Sequence, residues 1–132
     1  MARGGLSFEG IGATSTSYRA GSAIKAIVEA NDRDYVVNMA VAISGAATAD
    51  FGADGDALLG FVDVFENDGY IGVQDRGYRI EVPTVSSSPT VGQIAVVDGA
   101  GKVKGVANTN KLRSPIFVEV DATAKTATVF LG

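Results

Sequence analysis

The 132-residue sequence contains no histidine, no cysteine and no tryptophan. Without histidine, the side chain that ordinarily titrates near neutrality is missing, and with it the usual general base and the commonest metal ligand. Ser-His and Cys-His nucleophile pairs are excluded on the same ground. Without cysteine there are no disulfides, thiolates or cysteine-held metals, and the redox compartment leaves no mark on the sequence. No apolar run approaches the roughly 18 residues of a membrane span. The opening Met1-Ala2-Arg3-Gly4-Gly5 lacks the apolar centre of a secretion signal, so a soluble protein made in a cytoplasm is expected.

Positive charge is also scarce. Eleven basic residues against fifteen acidic ones give a net charge of −4. Duplex binding needs clustered Lys and Arg to displace counterions from phosphates, and here the basic residues are spread along the chain. Neither nucleic acid nor a membrane is expected as a partner.

What the chain does have is apolar content, 46% of residues, built largely from alanine and valine and interrupted by 17 glycines. That is poor material for packed helices and good material for short strands joined by tight turns. The length fits one domain with a modest core.

Residues 1–21 are rich in Gly, Ser, Thr and Ala and show neither helical nor strand periodicity. They read as an extended N-terminal arm or a disordered tail. Arg3, Phe8, Tyr18 and Arg19 favour an arm that docks on a partner, because aromatic and arginine side chains are the usual interface anchors. Residues 22–132 form the expected β-barrel domain. In 24–29 and 35–44, Val and Ile concentrate on either side of the polar turn 31–34. Helical spacing of Ala23, Ile24 and Ile27 is compatible with helix there, but strand is preferred. Residues 46–56, small and acidic, read as a surface loop. Segments 59–66 and 70–74 flank Asn67-Asp68-Gly69, a hairpin signature. Tyr78, Ile80 and Val82 alternate with polar residues and continue the pattern, with Tyr70 and Tyr78 expected to pack across neighbouring strands. Two further hairpins follow, 93–97 with 102–106 across Asp98-Gly99-Ala100-Gly101, and 116–121 with 126–131. Short strands with turn signals between them indicate an all-β fold, a small antiparallel barrel or sandwich.

Motifs that carry chemistry are mostly absent or incomplete. Asp50, Asp54 and Asp56 share one loop, but an EF-hand needs a Glu at its twelfth position, which counted from Asp54 is Phe65. A solvated acidic loop is the simpler reading. Asp50-Phe51-Gly52 spells the kinase metal-binding tripeptide without any other kinase motif. Gly10-Ile11-Gly12 lacks the third glycine of a dinucleotide fingerprint, since position 15 is serine. Lys102, Lys104, Lys111 and Arg113 are the one basic concentration, either a solvated edge or a surface that meets an acidic partner. No catalytic residue, cofactor or metal is expected.

Several phrases in the second half occur in a telling order. A "GFVDV" strand (60–64) leads through a turn into "GYIGVQ…G" (69–77); a proline-containing link leads into "TVGQ" (90–93) and "VVDGAGKV" (96–103); "VEVDATAKTATVFL" (118–131) closes the chain. In this order, residues 58–132 resemble the small head decoration (cement) proteins of tailed phages. The resemblance implies a non-enzymatic β-barrel or β-tulip-like domain with an N-terminal arm. It implies binding to the major capsid protein on the capsid exterior, as a homotrimer at local threefold axes, after synthesis in the host cytoplasm. The alternative is a β-barrel host- or carbohydrate-binding module of a virion fibre or tail.

Overall fold

The computed structural model describes residues 14–66 and 68–132. The three hairpins expected from turn chemistry are present. Strands β4 (Gly60–Phe65) and β5 (Tyr70–Arg76) meet at Gly69, whose φ of 84° suits glycine. Between β7 (Ile94–Val97) and β8 (Val103–Val106), the Asp98 carboxylate accepts the N–H groups of Ala100 and Lys102 at 2.8 and 3.0 Å. Between β9 (Ile116–Asp121) and β10 (Thr126–Phe130), Asp121 does the same for Thr123 and Ala124. In each of these two turns a short acidic side chain replaces a backbone acceptor and fixes the local path.

The first sheet closes on itself. Its order is β1-β3-β2-β4-β5, where β1 is Thr14–Ala20, β2 is Ala40–Gly45 and β3 is Thr48–Asp50. β1 lies antiparallel to β5 along its length and parallel to β3 at Arg19 and Ala20. Residues 14–20, read from composition as the end of an arm, are therefore the strand that closes the barrel. Residues 1–13, with Arg3 and Phe8, lie outside the described residues. β3 likewise falls inside the segment expected to be a loop. Gly60 permits the close approach of the start of β4 to its neighbour β5, because a Cβ there would run into the Gln74 carbonyl.

The preference for strand after residue 21 is corrected. Ser22–Ala30 is helix α1, and Arg33–Val36 forms a 3-10 turn before β2, so the fold is not purely β. Ile24, Ile27 and Val28 share the helical face that packs into the barrel, with Ile24 fully buried. The decisive contact is remote: the Asp50 carboxylate at the end of β3 accepts the N–H groups of Ala23 and Ile24 at 3.2 and 3.1 Å. An anion on the first turn satisfies donors the helix cannot, and favours the positive end of its dipole. Gly21 allows this approach, since a Cβ there would overlap the Asp50 side chain.

The second sheet has the order β6-β10-β9-β7-β8, with β6 at Tyr78–Pro83. Beyond β6, Thr84 forms a parallel bridge to Val103 of β8, so the far edge curls back toward the first strand. Two cores result. One fills the barrel with Val41, Val62, Ile71, Val73 and Phe51 beneath α1. The other lies between the layers, where Ala40, Ala42 and Phe61 of the barrel meet Val82, Val97, Val103, Phe117 and Val129 of the second sheet. Tyr70 and Tyr78 fall in different sheets and so do not pack on each other; Tyr78 packs across neighbouring strands on Phe130, with tilted rings 4.8 Å apart.

Candidate functional site

The most elaborate polar arrangement joins the two layers. Arg79 on β6 donates from Nε to Asn38 Oδ1 at 2.8 Å, and from Nη1 to Asp63 Oδ1 at 2.8 Å and Gln74 Oε1 at 3.0 Å. Gln74, buried on β5, turns its amide nitrogen to the carbonyls of Arg76 and Tyr78 at 2.9 and 2.8 Å. Ser15 on β1 donates to the second oxygen of Asp63 at 2.9 Å. Burial alone would raise the Asp63 carboxyl; hydrogen bonds from Arg79 and Ser15, with the charge of Arg79, outweigh it and hold the group below its ordinary value of 3.8. The guanidinium fork suits this multidentate role as an ammonium would not. Asp63 is thus an ionised acceptor whose two oxygens are engaged, not a base awaiting a proton. The arrangement is a brace between the layers.

The acidic loop divides in the same way. Asp50 caps α1, Asp56 accepts the Ala53 N–H at 2.9 Å, and Asp54 pairs with Lys104 at 2.7 Å. A cleft on the second sheet gathers Glu81, Glu119 and Asp121 beside Thr126 and Thr128. Among the described residues, no three carboxylates come together closely enough to hold a metal ion.

Of the four expected interface residues, the structure describes two. Tyr18 and Arg19 are successive in β1 and so point to opposite faces. Tyr18 is half-buried and packs on the barrel core, whereas Arg19 is exposed on the outer wall. Arg19 pairs there with Tyr70 of β5, which is itself exposed. Val64, also exposed, lies over Gly72, whose lack of a side chain leaves room for it. Tyr70 and Val64 were not singled out as partner contacts in the sequence; alternation in β4 and β5 gives both faces similar residues, so only the closed barrel distinguishes inside from outside.

A second exposed apolar group surrounds Asn108. Its side-chain nitrogen donates to the carbonyls of Gly92 and Leu112 at 3.3 and 2.8 Å, and its oxygen accepts the Leu112 N–H at 2.8 Å. This amide ties the loop after β8 to the loop before β7. Val91, Val106 and Leu112, all exposed, flank the tie. Lys111 and Arg113 stand on either side of Leu112. The basic run seen in the sequence is thereby split: Lys104 is committed to Asp54, while Lys111 and Arg113 lie on the exposed loop.

Comparison with protein-family models gives no match, and neither does comparison with curated proteins.

Proposed function

We propose that this chain is a non-enzymatic decoration (cement) protein that binds the exterior of a tailed-phage head and stabilises the shell against internal DNA pressure. The observation that carries the reading is the placement of the ordered sequence phrases. They supply the three hairpins β4–β5, β7–β8 and β9–β10 of a rigid two-layer scaffold whose polar clusters are engaged in holding the fold. A β-tulip-like barrel assembling as a homotrimer at local threefold axes belongs to the same reading. So do the major capsid protein as partner, synthesis in the host cytoplasm and location on the virion surface.

The physical logic is linkage. A ligand that binds only the mature lattice stabilises that lattice by mass action. Attachment at several equivalent points makes weak contacts sum to a tight one. Apolar and aromatic side chains left exposed on a rigid wall, such as Tyr70 and Val64 beside Arg19, suit such contacts because little entropy is lost in ordering them.

The test is co-sedimentation of the purified protein with expanded heads assembled from the major capsid protein encoded in the same genome. Saturable binding to expanded heads, weaker on unexpanded ones, is expected. Binding to a glycan array with none to heads would instead support a host- or carbohydrate-binding module. An arm carrying Arg3 and Phe8 is tested by deleting residues 1–13, since deletion to residue 21 would also remove β1 and open the barrel.

A further inference from the structure

We infer that the corner around Asn108 is a protein-docking surface for an acidic partner face that carries an apolar recess. The inference rests on the decoration reading and names a contact surface on the second sheet, separate from the Tyr70 wall of the barrel. Three observations carry it. First, three exposed apolar residues lie at or within two residues of the groups joined by the Asn108 amide: Val91 is 59% exposed, Leu112 52% and Val106 38%. Such groups bind at low entropic cost when the backbone beneath them is already fixed. Here it is fixed twice more, by the Gly92 N–H donating to the Phe117 carbonyl at 2.8 Å and by the β-pairing of Ile94 with Val106.

Second, the charge is uneven. Between Asp98 and Glu119 the chain has four basic residues and no acidic one, although its net charge is −4. Third, that positive charge is not spent internally at this corner. Lys104 pairs with Asp54, but Lys111 and Arg113 are exposed and form no ion pair among the described residues. Exposed cations on either side of an exposed leucine are complementary to carboxylates beside an apolar recess, and such charges steer association and fix its register. The three cations of this stretch without an ion pair among the described residues, Lys102, Lys111 and Arg113, are too few for a phosphate backbone, which requires a longer basic track.

The experiment measures binding of the full chain to expanded heads of the co-encoded major capsid protein. Its variants are Val91→Ser with Leu112→Ser, Lys111→Glu with Arg113→Glu, and Tyr35→Ser as an exposed apolar control elsewhere. Wild type and the control should bind alike, and each double variant should lose roughly tenfold or more in affinity. Added salt should weaken wild type and leave the charge variant nearly unchanged. Far-UV circular dichroism checks folding. A photo-crosslinking residue replacing Leu112, which should capture the capsid protein while one replacing Tyr35 should not, serves as a second readout.

If wild type binds and both double variants bind equally well, the docking surface is wrong and the decoration reading stands. If wild type does not bind heads, both fall. Sedimentation velocity showing that the double variants dissociate an oligomer of the chain would make a second copy the occupant and overturn the proposal. Competition by a short DNA duplex for the same residues would overturn it too.

Discussion

Arg79 on the second sheet reaches Asp63 on the barrel at 2.8 Å, and the same guanidinium also satisfies Asn38 and Gln74. The arginine side chain is only 17% exposed and Gln74 is buried, so few waters can replace the guanidinium when it is removed. Arg79→Met should therefore cost about 1–3 kcal/mol in urea unfolding, because the Asn38 and Gln74 amide oxygens lose the donor they share. Arg79→Lys should recover part of that loss, keeping the charge without the fork.

Asp63 sets a dependence on acidity. Its carboxyl lies below the ordinary value of 3.8, so the folded state binds its proton less readily than the unfolded chain does. The stability contributed by the ionised form is fully present above that value and is lost as pH falls through the lower folded value. Wild type should exceed Asp63→Asn in denaturant midpoint at neutral pH, and the gap should narrow below about pH 3.8. A gap that stays constant down to acid-induced unfolding would contradict the brace.

The helix cap is a tertiary contact and behaves as one unit with Gly21. Asp50→Ala should cost about 1–2 kcal/mol, in the range of lost helix caps. Gly21→Ala should cost a comparable amount by displacing the Asp50 carboxylate. Combined, the two should cost clearly less than their sum, since both remove the same interaction. Thermal melts of the three variants measure this directly.

Thr84 offers a gain rather than a loss. It is 2% exposed and its hydroxyl has no hydrogen-bond partner among the described residues. Thr84→Val keeps the shape and removes an unsatisfied polar atom, so stability should rise by about 1 kcal/mol. An unchanged or lower melting temperature would show that the hydroxyl is satisfied in solution.

The hairpins were legible because their information is local: Gly69, Asp98 and Asp121 act within a few residues of the turns they shape. Helix α1 was not, because its segment mixes Ile and Val with Ala, and its cap comes from Asp50, 27 residues from Ala23 in sequence. β1 was hidden for a different reason. Its Thr and Ser residues give no periodicity, and its main partner β5 lies more than fifty residues away. The brace left no signal at all, since Arg79 reads simply as a polar residue alternating along a strand. The Asn108 corner was half visible: its charges stood out, but its apolar members come from two stretches, at Val91 and at 106–112, joined only by folding.

The position of β1 has a mechanical consequence. The strand that begins the described chain is also the stave that closes the barrel, laddered to β5 from Thr14 to Arg19 and to β3 at its far end. A load drawing the chain outward along this strand must shear those bonds together instead of unpeeling them one at a time. A pull applied ahead of Thr14 along the strand is thus borne by both ladders and strains the barrel as a whole.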